Sequence, residues 1–309
     1  MEVIARVLSW VVAVSALLAA QAPSPLGTAP QRFTVTADGH PLAVWARVPA
    51  APKAAILLVH GRTWSSRPDF DLQPPGLKRS VMQSLSDRGI AAYAIDLRGY
   101  GETPRDPSGF TTPNRAAADI AETLKWIASR HPSLDKPALL GWSNGAAMAL
   151  IVAVTRPDTL SSVTLFGFTP DVSYDIAPVP VAGPAPRTRN TAAAAASDFI
   201  APSVTPPAVV RAFVAAALAA DPIFAEWKND HELNAMAANR LTVPVLLMHG
   251  EKDPGTSTED AGRFLAAVAS HAKSYVVLPL ADHCAQLEDT HDAFISAVTE
   301  FITRPAPRR

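Results

Sequence analysis

Pro137-Ala138-Leu139-Leu140-Gly141-Trp142-Ser143-Asn144-Gly145-Ala146-Ala147-Met148-Ala149-Leu150 is the stretch on which the fold turns. A short apolar run ends in a G-x-S-x-G pentapeptide, and an apolar, helix-like segment from Ala146 to Val154 follows it. Strand, sharp turn and helix in that order hold a serine in a strained turn with its hydroxyl above the strand ends. Glycines at 141 and 145 suit that turn, which leaves no room for side chains two residues either side of the serine. The pentapeptide alone would also fit an ordinary loop; the flanking elements favour the strained turn.

Working outward, Arg32 to Ala37 and Leu42 to Val48 alternate in polarity around Asp38-Gly39-His40-Pro41, an antiparallel hairpin. Ala54 to Val59, Ile90 to Ile95, Ala138 to Leu140, Val163 to Phe166, Val243 to Met248 and Tyr275 to Leu278 are instead continuous apolar runs. Such runs suit strands buried on both faces. Helical patterns separate them at Leu77 to Arg88, Asn114 to Arg130, Ala146 to Thr155, Thr258 to Ser270 and His291 to Thr303. The alternation predicts an α/β fold: a mostly parallel twisted sheet of about eight strands with helices on both faces.

From about Thr169 to Arg240 the alternation breaks. A Pro-rich loop leads into an Ala-rich segment (Thr191 to Ala201) and helix-like stretches at Pro206 to Ala220 and Asp230 to Arg240. A structureless loop of that length is rare in a compact domain, so residues 169–240 are expected to form a helical cap with no strand of the main sheet. If this cap only covers Ser143, its replacement by a short linker leaves a folded core.

Composition narrows the partners. With 27 basic and 28 acidic side chains in 309 residues, the net charge of −1 offers no basic footprint for a nucleic-acid backbone. The lone Cys284 excludes an internal disulfide, and the chain has no CxxC or CxxH spacing for a metal. Near the N-terminus, Val7 to Ala20 is an apolar run the size of a signal-peptide core, after Arg6 and before Ala20-Gln21-Ala22-Pro23. It is short for a membrane span. Residues 1–22 are therefore read as a signal peptide directing export to the periplasm or medium, with an uncleaved anchor as the alternative, and residues 23–309 as one domain.

These features together resemble the α/β-hydrolase superfamily, from about Arg32 to Ile302. His60-Gly61 after the run Ala54 to Val59 is similar to the family's oxyanion loop, in which the residue after the glycine, here Arg62, turns its backbone N–H towards the nucleophile; Thr63 is the alternative. Asp96-Leu97-Arg98-Gly99-Tyr100-Gly101-Glu102-Thr103 resembles the family's D-x-R-G-x-G-x-S segment, with threonine for the usual serine. His249-Gly250-Glu251-Lys252-Asp253 looks like the loop that supplies the acid, which makes Asp253 the first choice, with Glu251 and Asp171 as fallbacks. Ala281-Asp282-His283 supplies the base, His283. The order Ser143, Asp253, His283 is the one this fold uses.

The resemblance implies that His283 takes the Ser143 proton while Asp253 fixes its tautomer. The oxyanion donors are then the backbone N–H of Arg62 and of Asn144, which opens the helix after the turn. Trp64, Trp142 and Phe168 are candidates to line an apolar acyl pocket, with core packing as their alternative, and the polar loop Arg67, Asp69, Asp71 to meet a polar substrate group. His60 is expected to be a structural hydrogen-bonder, and His231, His271 and His291 to be exposed. No cofactor or metal is implied. The leading expectation is a serine esterase acting on a small-molecule carboxylic ester of short or medium acyl length. Amide or peptide cleavage is the alternative, with Glu226, Asp230 and Glu232 available to hold an amine, as are a cofactor-free perhydrolase and a non-catalytic binder on the same scaffold. Dehalogenase and epoxide hydrolase relatives carry aspartate where Ser143 stands.

Overall fold

The computed structural model describes residues 29–168, 175–201 and 203–304. The expected signal peptide and Asp171 lie outside these residues. In chain order the elements are β1 (Gln31–Ala37), β2 (His40–Arg47), β3 (Ala54–Val59), α1 (Ser66–Phe70), α2 (Val81–Asp87), β4 (Ile90–Ile95), β5 (Phe110–Thr111), α3 (Pro113–Arg130), β6 (Ala138–Trp142), α4 (Asn144–Thr155), β7 (Val163–Phe166), α5 (Ala192–Ala196), α6 (Pro207–Ala220), β8 (Glu226–Trp227), β9 (Val245–Gly250), α7 (Thr258–Ala267), β10 (Lys273–Leu278) and α8 (His291–Thr303). An eight-stranded sheet runs in the order β1-β2-β4-β3-β6-β7-β9-β10. The β1–β2 and β2–β4 pairs are antiparallel and the rest parallel, as the alternating and continuous runs imply.

Every residue of β4, β6, β7 and β9 is buried, and α4 keeps all but its two ends out of solvent. Two apolar layers, one on each face of the sheet, supply the core. After β3 the chain moves to β4 on one side, and from β6 it moves to β7 on the other, so the sheet reverses its direction of growth between β3 and β6. The crevice beyond the carboxyl ends at such a reversal is where open α/β sheets hold their sites.

Several details depart from the sequence reading. The Leu77 to Arg88 helix starts only at Val81, because the Ser80 hydroxyl accepts the Gln83 N–H and caps it there. The short α1, with a proline inside it, was not anticipated. Asp230 to Arg240 forms two 3₁₀ turns, Asp230–Ala235 and Ala238–Arg240, in place of a helix. The 169–240 stretch is also not strand-free: β8 pairs in parallel with β5 outside the main sheet. Among the described residues no helix is long and apolar enough to cross a membrane.

Candidate active site

β6 ends at Trp142 and α4 begins at Asn144, so Ser143 alone makes the turn. Its φ of 55° and ψ of −121° are strained for a side-chain-bearing residue, a state worth about 1–3 kcal/mol that neighbours must enforce. They do so by hydrogen bonds: Ser143 N–H donates to the Phe166 carbonyl of β7 (2.8 Å), and its own carbonyl accepts from Ala146 N–H (2.9 Å). The serine side chain does not cap α4. A Cβ on Gly141 would lie 2.1 Å from the Gly145 carbonyl oxygen, and one on Gly145 would lie 2.3 Å from that of Val59. Both glycines are thus required by backbone-to-backbone approach.

His283 follows β10 and Asp253 follows β9, two neighbouring parallel strands whose carboxyl ends share the Ser143 edge. His283 Nδ1 lies 2.9 Å from Asp253 Oδ2, and Asp253 Oδ1 accepts the Gly255 N–H at 2.9 Å. With Nδ1 donating to the carboxylate, Nε2 is the basic nitrogen of the neutral ring. Burial works to lower the His283 pKa, but the hydrogen bond and charge of Asp253, with Asp198 and Asp282 adding to it, hold it above its ordinary value. Trp142, beside Ser143, donates its indole N–H to the His283 carbonyl at 2.9 Å, and its ring lies 5.3 Å from the imidazole. The Ser143 turn and the His283 loop are thereby tied together. The fallback Glu251 instead accepts Leu280 N–H at 2.8 Å, and Asp282 accepts the Cys284 and Ala201 backbone N–H groups.

The loop after β3 lies over the turn: a Cβ on Gly61 would stand 3.8 Å from that of Ser143. Gly61 N–H is spent on Asp69 (3.1 Å), which leaves Arg62 and Thr63 as the next backbone donors. Asn144 opens α4, so its N–H lacks an intrahelical acceptor. His60 is fully buried; its Nδ1 is 2.8 Å from the Gly61 carbonyl and its Nε2 accepts Leu97 N–H at 3.1 Å. Burial takes its pKa down to about 4, so it is a neutral structural hydrogen-bonder. The Arg62 guanidinium reaches Asp230 at 3.4 Å and lies over the Trp227 ring.

The expected pocket lining is revised. Trp64 and Trp142 are 1% and 2% exposed and both indole N–H groups are committed, to Asp198 and to His283, so they pack as core behind the site. Phe168 is half-buried against the apolar layer that contains α4. Asp69 and Asp71 are buried as well: Asp71 pairs with Arg47 (2.7 Å) and accepts the Ser80 hydroxyl, and Arg67 lies over Trp45. The two aspartates are therefore structural, whereas Arg67 is exposed. His291 is also buried, between the Gln286 carbonyl and the Ser84 hydroxyl, because its place at the start of α8 faces the core. Cys284 is buried and its thiol pKa is pushed well up by burial, which removes it as a nucleophile. Thr103, in the serine's place, accepts Ala43 N–H and donates to the Asp96 carbonyl, so the substitution keeps both bonds.

Three carboxyl groups near the site were not singled out by the sequence. Burial raises Asp198 and Asp221 to about 6, and burial with the neighbouring Asp282 raises Glu288 to about 9. Nothing in their local sequence marks them. Among the described residues no group of three or more His, Cys, Asp or Glu side chains could hold a metal.

Over 115 residues, 37% of its length, this chain is 31% identical to mouse "Serine hydrolase BPHL", a match that spans 35% of that protein. A longer match, 25% identical over 268 residues, covers 81% of this chain and 88% of "Monoacylglycerol lipase" from Mycolicibacterium smegmatis. Among solved structures, E-2-(acetamidomethylene)succinate hydrolase superposes with a TM-score of 0.62 at 20% identity, covering 89% of this chain and all of that one. The thioesterase domain from the curacin biosynthetic pathway does so with a TM-score of 0.61 at 16% identity, covering 88% and 100%. These last two establish the fold. Residues 50–290 match the family described as "Serine aminopeptidase, S33", and over that span, which includes Ser143, Asp253 and His283, the chain belongs to this family of α/β-hydrolase serine hydrolases.

Proposed function

We propose that this serine hydrolase cleaves a carboxylic ester through an acyl-enzyme on Ser143. The observation that carries the reading is the 2.9 Å His283–Asp253 contact, on a loop tied to the residue beside Ser143. His283 Nε2 takes the hydroxyl proton as Ser143 Oγ attacks the acyl carbon; the oxyanion forms against the N–H groups of Asn144 and Arg62. Collapse breaks the ester C–O bond, and the proton passes from His283 to the leaving alcohol. A water, deprotonated by the same nitrogen, then returns the acid and the free serine.

Ester rather than amide is favoured because two of the three carboxylates considered for holding a substrate amine make contacts within the protein. Asp230 pairs with Arg62, and Glu232 accepts Asn114 N–H at 2.7 Å. Similarity to a protein named monoacylglycerol lipase over most of both chains points the same way. A panel of p-nitrophenyl esters from acetate to palmitate beside aminoacyl anilides tests it. Ester turnover, with fluorophosphonate labelling that Ser143→Ala abolishes, is expected; turnover of anilides alone overturns the ester assignment, and silence on both from folded protein overturns the catalytic one.

A further inference from the structure

The loop that carries the Arg62 donor has no regular structure between β3 and α1, so hydrogen bonds from elsewhere must set its course. Trp64 Nε1–H donates to Asp198 Oδ2 at 2.8 Å. The next residue, Ser65, donates its backbone N–H to Asp221 Oδ2 at 2.8 Å, while Asp221 Oδ1 accepts Gly101 N–H, also at 2.8 Å. The Arg62 carbonyl accepts the Tyr100 hydroxyl, whose oxygen in turn accepts Trp227 Nε1–H at 2.6 Å. Asp198, Asp221 and Trp227 all belong to the 169–240 stretch.

We infer that the 169–240 stretch builds the oxyanion hole as well as covering it, with Asp198 and Asp221 as positioning residues for the loop that presents the Arg62 N–H. This rests on the proposed acyl-enzyme chemistry. Two features set these bonds apart from incidental packing. They fall on consecutive residues, one through the side chain of Trp64 and one through the backbone of Ser65, so they fix both the position and the direction of the loop. Asp221 is also 3% exposed and has no cationic partner among the described residues; a buried carboxylate in that position is costly unless both oxygens are satisfied, and both are spent on backbone donors of two different loops.

Asp198 has a second tie. Its carbonyl accepts the Cys284 thiol at 3.2 Å, one residue from His283, and α5, which precedes it, packs on α6. Phe199 meets Phe213 of α6 with ring centroids 5.2 Å apart, and Phe213 meets Trp64 at 6.3 Å. One short segment thus touches the oxyanion loop on one side and the histidine loop on the other. Removing a post lets the loop drift, and a displacement of about 1 Å from productive geometry is worth on the order of 10²-fold in rate.

The test uses the full chain and a p-nitrophenyl ester that it turns over. Asp198→Ala and Asp221→Ala are each expected to lower kcat about 10- to 100-fold, the range for a weakened oxyanion donor, with KM changed less than about threefold. Affinity for a trifluoromethyl ketone, whose adduct carries the oxyanion, should fall in step with kcat/KM, a correlation that a merely structural role would not produce. Trp64→Phe removes the same bond as Asp198→Ala, so the double variant should be hardly worse than either. Asp198→Asn keeps an acceptor for the indole and should recover most of the loss; it and Trp64→Phe keep the test decisive if an alanine variant fails to fold. Folded alanine variants with kcat within about twofold of wild type would overturn the inference, as would lost rate without lost ketone affinity. Failure of the acyl-enzyme reading is distinguishable, because Ser143→Ala would then retain turnover whatever the two aspartates do.

Discussion

Asp253→Asn tests the proposed assignment of the acid with almost no change in shape. In the wild type, Asp253 Oδ1 accepts Gly255 N–H and Oδ2 faces His283 Nδ1, both at 2.9 Å. An asparagine has one acceptor and one donor to distribute between these positions. The Gly255 N–H can only donate, so the amide oxygen stays with it and the NH₂ group turns to His283. Nδ1 must then accept, and the ring carries its proton on Nε2, the nitrogen that has to take the serine proton. The wrong tautomer costs on the order of 10⁴ in kcat, about 5.5 kcal/mol of transition-state stabilisation. Asp253→Ala imposes no tautomer and should lose less than the asparagine variant, although it removes more atoms. Ester kinetics of both variants, with ¹⁵N shifts of the His283 ring, check this. An asparagine variant within tenfold of wild type, or one whose ring keeps its proton on Nδ1, refutes the reasoning and moves the acid to Asp171 or Glu251.

Two further expectations concern pH. His283 must be neutral to act as base, and Asp253 holds its pKa above 6.5, so kcat/KM should rise with pH through a midpoint above 6.5; in Asp253→Asn burial remains while the main opposing influence is gone, and the midpoint should fall. A wild-type midpoint below 6.5 contradicts the first statement. Glu288, fully buried beside Asp282, has its carboxyl raised from 4.5 to about 9, so its contribution to stability is complete below about pH 4.5 and is lost as pH rises towards 9. Glu288→Gln mimics the neutral form, and its thermal midpoint relative to wild type should climb steadily between those limits; a pH-independent difference would mean that Glu288 is ionised in the folded protein.

Much of this was legible in the sequence because it is local. Continuous apolar runs located β3, β4, β6, β7 and β9 as buried strands but overstated β10, an edge strand of which only Leu278 is buried, and the glycines on either side of Ser143 reflect approaches at which an added Cβ would lie 2.1 and 2.3 Å from backbone oxygens. His283 and Asp253 could be proposed because each sits just after a readable strand, in the order that the family resemblance implies. Trp64 and Trp142 as pocket lining are harder to read for a physical reason: an indole beside a reactive serine looks the same in sequence whether it faces a cleft or donates its N–H to a buried acceptor, the Asp198 carboxylate for Trp64 and the His283 carbonyl for Trp142. The burial of Asp69 and Asp71 was hidden in the same way, since a polar loop reads as solvated until its partners, Gly61 and Arg47, are located.

The same limit explains why the 169–240 stretch looked separable from the chemistry. Its ties to the oxyanion loop span 134 residues from Trp64 to Asp198 and 156 from Ser65 to Asp221, and no periodicity or motif records pairings over such distances. Replacing the stretch with a linker would strip the acceptors from Trp64 Nε1–H and Ser65 N–H and the donor from the Tyr100 hydroxyl oxygen. Each group left unpaired in a dry site costs about 1–3 kcal/mol, enough for the loop to seek another course. A core relieved of its insertion is therefore expected to keep the sheet, the strained serine and the Asp253–His283 pair, yet to react with a phosphonate probe far more slowly than an intact pocket-only cap would imply. On this inference rate is carried by the same segment that is proposed to set specificity, because Asp198 and Asp221 hold the backbone of the loop that follows β3.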